Sequence, residues 1–174
     1  MNKKISEFVD SLLSNSNKKL VLKTLEKLFN SGIPFNLPHK FKFIELSQQQ
    51  TIIELPFIKK NKNHLGGQHA CAIATLGEYP AGLSIIKFFG SSSYRIILKE
   101  LHTHYFQQGR GKLQGRVDVQ KYNFKEFKEQ LDSHTSVDIT LTTEIYNTDQ
   151  EVIAEVTTTW QLKPWTKVTF KHNN

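Results

Sequence analysis

The spacing of hydrophobic positions changes along the chain. Over residues 3–14, Ile5, Phe8, Val9, Leu12 and Leu13 recur at three- and four-residue intervals, which predicts an amphipathic helix. Val21, Leu22, Leu25, Leu28 and Phe29 repeat the pattern over 18–30. Ser16 or Asn17 can cap this second helix, and Gly32 with Pro34 can end it. From 41 to 57 the period falls to two. Phe41, Phe43 and Glu45 alternate first, then Ile53, Leu55 and Phe57 share a face, with the polar SQQQ between them turning the chain. NKNHLGG at 61–67 has the asparagines and glycines of a loop. A helix is expected from about Gln68 to Ile85, and its composition is unusual. Ala70, Ala74, Gly77 and Ala81 leave one face almost free of side chains, while Ile73, Leu76 and Leu83 supply bulk beside it. Such a face lets neighbouring backbone approach closely. Pro80 lies inside the segment and predicts a kink that frees the Leu76 carbonyl.

Strand periodicity dominates the remainder. Residues 94–106 are β-branched and aromatic, Gly109–Arg110–Gly111 turns, and Leu113, Gly115, Val117 and Val119 then point inward. A short amphipathic helix carries Phe124, Phe127 and Leu131. The clearest hairpin pairs Val137, Ile139, Leu141, Thr143 and Ile145 with Val152, Ala154, Val156, Thr158, Trp160 and Leu162 across a turn at 147–150. Two helices, two strands, one long helix and four strands with a helical insertion give an α+β fold, with helices gathered on one face of an antiparallel sheet. We expect a single domain, with residues 1–35 as a helical extension packed on a main body at 36–174.

Composition narrows the class. The chain has 174 residues, 38% hydrophobic and 22% charged, enough for a real core without staples. No apolar run approaches the roughly 20 residues that span a bilayer, so no membrane association is expected. Lys3 and Lys4 could open a signal peptide, but Ser6, Glu7 and Asp10 interrupt the apolar stretch that such a peptide needs next, so we read the protein as cytoplasmic. The single cysteine, Cys71, excludes an internal disulfide and a thiolate metal cluster, and we read it as a small buried hydrophobe. Net charge is +7, yet no run of lysines exceeds two. We read this as surface solvation first and an anion-binding rim second; a nucleic-acid groove would show a denser basic stripe.

Chemistry concentrates between Asn63 and Glu78. The first amides of a helix lack internal partners and carry the positive end of its dipole. The N–H of Ala70, or of a neighbour, could therefore hold an oxyanion on a thioester carbonyl, with a small residue there permitting the approach. Glu78 stands about two turns further in on an otherwise apolar helix, where a carboxylate is costly unless paired or functional. It could activate water or attack directly. The bland readings are a plain turn for Asn63, a hydrogen-bonding helix start for His69 and an ion-paired helix residue for Glu78. Cys71 lacks an obvious base. His102 and His104 alternate onto one strand face, but no third metal ligand suggests itself, so no metal is expected.

The pattern N-x-x-G-x-x-H-[AG]-x6-7-[DE], here Asn63, Gly66, His69, Ala70 and Glu78, resembles hotdog-fold thioesterases of the phenylacetic-acid-degradation type. It is most similar in style to the branch called DUF4442, which has His-Ala in place of His-Gly-Gly. YFQQGRGKL at 105–113 also resembles that branch's Y-x-x-P-A-R-G. The likeness covers roughly residues 40–162. It implies a long central helix wrapped by a curved antiparallel sheet, and a homodimer or tetramer with its active site at the subunit interface. It further implies hydrolysis of an acyl-CoA or acyl-carrier-protein thioester, with no cofactor beyond the coenzyme A of the substrate. By position, Glu78 is the general base or nucleophile, Asn63 orients water or thioester, Ala70 donates to the oxyanion, and His69 orients. Gly66, Gly67, His102 and His104 would line the substrate path, and Lys60, Lys62 and Arg110 could hold phosphates. Departures are His69-Ala70-Cys71 for His-Gly-Gly, Gln108-Gly109 for Pro-Ala, and the extra helices. The alternative is a hotdog protein that binds acyl groups without turnover.

Overall fold

Helix α3 (Ala70–Phe89) is apolar on most of its surface, so it cannot lie against solvent and must be enclosed. A six-stranded antiparallel sheet encloses it in the computed structural model, which describes residues 3–169. The strands are β1 (Lys42–Leu46), β2 (Gln50–Leu55), β3 (Tyr94–Tyr105), β4 (Leu113–Asp118), β5 (Val137–Tyr146) and β6 (Val152–Pro164), in the order β1-β2-β4-β5-β6-β3. Helices α1 (Lys3–Ser14) and α2 (Lys19–Gly32) precede the sheet, and α4 (Phe124–Ser133) joins β4 to β5. This is a hotdog fold with an N-terminal helical pair.

The helix and sheet approach where α3 lacks side chains. A Cβ at Gly77 would lie 2.2 Å from Val156 Cγ2, and one at Gly82 would lie 2.9 Å from the Trp160 ring. Pro80 has no N–H to offer the Leu76 carbonyl, yet α3 continues through it to Phe89. That carbonyl packs against Gly115, where a Cβ would come within 2.8 Å of its oxygen. The adjacent Gly77 carbonyl accepts from Thr143 Oγ1 at 2.7 Å. Polar groups exposed by the proline's neighbourhood thus find room or a donor on the sheet.

The expected small-residue face is only half engaged. Gly77 and Ala81 are buried, but Ala70 is exposed and Ala74 half-buried, because the sheet wraps the middle and far end of α3 rather than its start. For the same reason Cys71 is exposed, not the buried hydrophobe expected. Phe57 is partly exposed with Lys62 Nζ 3.8 Å from its ring centre, since β2 ends before it.

The N-terminal helices share the main core. Val9, Leu13 and Leu25 cluster with Phe41, Phe43, Tyr79 and Leu83. Ile5 and Phe8 are exposed, because α1 buries a narrower stripe of Ser6, Val9 and Leu13. Helix α2 starts after Lys18 with no side-chain cap, contrary to the expectation for Ser16 or Asn17. Ser16 is buried and spends its hydroxyl elsewhere, donating to the Leu46 carbonyl and accepting from Lys87 Nζ. Lys87 also donates to the carbonyls of Leu13 and Leu46. Burial holds its pKa below the usual lysine range. About one turn earlier on α1, the Asp10 carboxylate accepts from the N–H and hydroxyl of both Ser91 and Ser92. These two polar knots fasten the helical pair to the end of α3.

Candidate active site

The start of α3 is built by a buried asparagine that the sequence pattern does not single out. Asn61 donates to the carbonyls of His39 and Pro56, and its Oδ1 meets His39 Nδ1 at 2.9 Å. Its backbone carbonyl accepts from His69 N–H at 2.7 Å, which places His69 as the N-cap of α3. His69 Nδ1 accepts from the Cys71 N–H at 3.1 Å, so that nitrogen acts as a cap acceptor. The Ala70 N–H has no acceptor among the described residues, while the Ala70 carbonyl accepts from the Tyr105 hydroxyl at 2.9 Å. An open amide at the positive end of a twenty-residue helix can receive a developing oxyanion.

Asn63 closes the preceding loop. Its Oδ1 accepts from the N–H groups of Leu65 and Gly67, and its Nδ2 donates to the Gln68 carbonyl. Gly66 sits in the left-handed region at φ 78°, which favours glycine at this turn. Gly67 is buried against Gln108, where a Cβ would lie 2.8 Å from Nε2. Gln68 is buried; its Nε2 donates to the Pro56 and Gly111 carbonyls, and its backbone N–H to Gly109. Asn63, Gln68 and Ala70 line a cleft of about 310 Å³ with Tyr105 and the 106–109 segment.

Glu78 occupies a different setting. It lines a cavity of about 350 Å³ with Phe29, Ile33 and Phe35 of the N-terminal segment and Trp160 of β6. Among the described residues its carboxylate has no hydrogen bond or ion pair. Desolvation raises its pKa above the ordinary glutamate value. A carboxylate with free lone pairs in an apolar cavity is suited to take a proton or attack an electrophile. Its neighbour Tyr79 also borders this cavity and packs its ring in a cluster with Phe29, Phe41 and Phe43. Burial raises the Tyr79 phenol's pKa, and its hydroxyl makes no hydrogen bond, although Asn36 is nearby.

The other expected residues divide around these two cavities. Lys60, Lys62 and His69 line a third, of about 160 Å³, with Phe35, His39 and Thr75; Thr75 also borders the Glu78 cavity. Arg110 is exposed and donates to Gln108 Oε1. Lys112 is paired with the buried Glu54 at 3.1 Å. His102 and His104 are exposed on β3, with the His104 ring 4.8 Å from that of Phe106. Among the described residues, no group of three His, Cys, Asp or Glu side chains is placed to hold a metal ion. Asn61 and Gln68 build the site without any sign of it in the sequence pattern, while Tyr105 shows only as the first residue of the 105–113 segment and not as a partner of Ala70. Their contacts reach across up to forty-three positions, which local spacing cannot reveal.

The sequence profile of a domain of unknown function, DUF4442, matches residues 23–162. The chain belongs to the DUF4442 family. No curated protein matches it in sequence. Its structure is similar to that of a Pseudomonas aeruginosa protein of unknown function named as a probable thioesterase. Identity is 21%, coverage 82% of this chain and 95% of that one, and the TM-score 0.72. A second P. aeruginosa protein, named as a thioesterase and solved with a glutamine replaced by alanine, is 12% identical (82% and 94% covered, TM-score 0.66). A Staphylococcus aureus thioesterase enzyme is 14% identical (76% and 100% covered, TM-score 0.61). These likenesses establish the hotdog fold of this DUF4442 chain. No helix among its described residues is long and apolar enough to cross a membrane.

Proposed function

We propose that this protein hydrolyses acyl thioesters, with coenzyme A or an acyl carrier protein as leaving group. The carrying observation is Glu78: a carboxylate without a hydrogen-bonding partner among the described residues, set on the central helix in a mostly apolar cavity that Asn36 and Thr75 also border. It acts as general base toward water, or as nucleophile toward the thioester carbonyl. The open Ala70 N–H stabilises the resulting oxyanion. Support also comes from the staphylococcal thioesterase, of which alanine variants exist at a glutamine and at a glutamate fifteen positions later. Asn63 and Glu78 have the same separation here.

The working unit in this reading is a homodimer. Ala70 and Glu78 are eight positions apart, about 12 Å along a helix at 1.5 Å per residue. One carbonyl cannot touch both groups of the same helix, because an oxyanion donor must lie about 3 Å from the oxygen it holds. Two antiparallel copies of α3 bring the Glu78 of one beside the Ala70 N–H of the other. Strand β3 ends the sheet, is twelve residues long and exposes Ile97 and Leu101, which suits it to pair with a second copy. Lys60, Lys62 and Arg110 then serve as a cationic rim for coenzyme A phosphates, and His102 and His104 flank the substrate path. A second reading, acyl binding without turnover, is favoured by one observation: the side-chain amide of Asn63 is engaged at both ends within its loop.

The test is thiol release from short, long and aromatic acyl-CoAs, with light scattering for the oligomeric state. Release by a dimer, abolished in Glu78→Ala, supports the hydrolase. Silence of the folded protein across acyl-CoAs and acyl carrier protein thioesters would move the balance to the binding reading.

A further inference from the structure

Beside the Glu78 cavity lies a second one, of about 400 Å³, between α1, α2 and the end of α3. Its lining is nearly all apolar: Ile5 and Val9 from α1, Leu28 and Gly32 from α2, with Ser91 at one end. Phe29, Ile33 and Ile86 line both cavities, so the two adjoin. Glu78, Gly82 and Ile86 succeed one another at four-residue steps, so one face of α3 runs from the first cavity to the second. That run covers about 12 Å of helix axis. The knots at Asp10 and Lys87 hold α1 over the far cavity.

We infer that the N-terminal helical pair forms the acyl-chain pocket, and that the substrate carries a long unbranched chain, with its thioester at Glu78 and its tail in the cavity beneath α1. The inference rests on the reading of Glu78 as the reactive end. A methylene is close in size to a water molecule, which occupies about 30 Å³, so each cavity holds about ten such groups. A medium chain is satisfied by the first cavity, whereas a chain of about sixteen carbons needs both. The apolar lining excludes a polar or charged acyl group from the far cavity, since nothing there repays its desolvation.

Gly32 provides a clean test. Gly32 lines the far cavity and a Cβ there meets nothing within 4 Å, so Gly32→Trp adds an indole at the cavity's edge without a clash at its Cβ. Ile5→Trp, at an exposed position on the same cavity, is a second block that leaves the core untouched. Binding of butyryl-, octanoyl-, dodecanoyl- and palmitoyl-CoA is measured calorimetrically in the full-length Glu78→Gln background, so that no turnover is required. Affinity should rise on the order of two- to fourfold per added methylene through palmitoyl. In either blocked variant the rise should stop near ten carbons, with octanoyl affinity unchanged. An identical chain-length dependence in blocked and unblocked proteins, or no dependence in either, overturns the pocket. Binding that behaves as expected, in a protein whose wild type releases no thiol, overturns the hydrolase and leaves the pocket standing.

Discussion

Gly77 stands so close to Val156 that a Cβ on it would lie 2.2 Å from Val156 Cγ2 and 2.3 Å from Val156 Cβ. The sheet therefore touches the helix one residue before Glu78, and this contact fixes the depth at which the carboxylate sits. Gly77→Ala must push helix and sheet apart, at a cost of about 1–3 kcal/mol for overpacking. Because Val156 Cβ is itself in the way, trimming Val156 to alanine should not restore stability. Thermal melts of the single and double variants check this; full rescue by Val156→Ala would show that the backbone is free to move there.

Burial raises the Glu78 pKa in the folded state, so folding favours the protonated acid. The native protein holds that proton more tightly than the unfolded chain. Its penalty is therefore absent below the ordinary glutamate pKa of about 4.3 and grows as pH rises toward the higher folded value. Glu78→Gln should melt higher than wild type at neutral pH, with the gain shrinking to nothing at about pH 4. Melting curves across pH read this out, and a variant less stable than wild type at pH 7 would mean that Glu78 has a charged partner. Turnover, if Glu78 works as the anion, should rise with pH through the same raised value and then level off.

His69 caps α3 through Nδ1, a role asparagine can also fill. His69→Ala should cost about 1 kcal/mol of stability. His69→Asn should recover most of that and keep kcat within a few-fold of wild type. Loss of turnover in the asparagine variant as deep as that in Glu78→Gln would make His69 a proton carrier instead.

Asp10 receives four hydrogen bonds from Ser91 and Ser92. Removing the charged acceptor leaves those donors to find water in a half-buried site, so Asp10→Ala should cost about 2–3 kcal/mol. Chemical denaturation measures it, and a change below about 0.5 kcal/mol would show that the α1 clasp contributes little.

Period alone reveals most of the elements, because the apolar repeat switches between helix and strand spacing at nearly the observed boundaries. The hairpin of β5 and β6 is plain for this reason: Val137 to Ile145 alternate strictly, and each inward position is buried. The helix start at His69 is legible because it depends on residues near in sequence, and the apolar run around Glu78 singles it out, whereas its lack of a partner depends on what the fold brings beside it. Features that depend on distant partners are illegible. Ser16 cannot reveal that Leu46 and Lys87 will claim its hydroxyl, so it reads as a cap. Cys71 reads as buried, since its exposure is set by how far along α3 the sheet extends. Lone Asn61 gives no sign that it ties His39, Pro56 and His69 together. The separation of Glu78 and Asn63 into different cavities likewise arises from tertiary placement.

The central claim is that Glu78 performs the chemistry, and Glu78→Gln tests it with a side chain of nearly equal size and no negative charge. Steady-state thiol release and equilibrium binding of the same acyl-CoA are measured on wild type and variant. The account expects kcat to fall by at least about a hundredfold, the usual contribution of a positioned base, with affinity for the substrate retained. A variant that binds and turns over like wild type would contradict it.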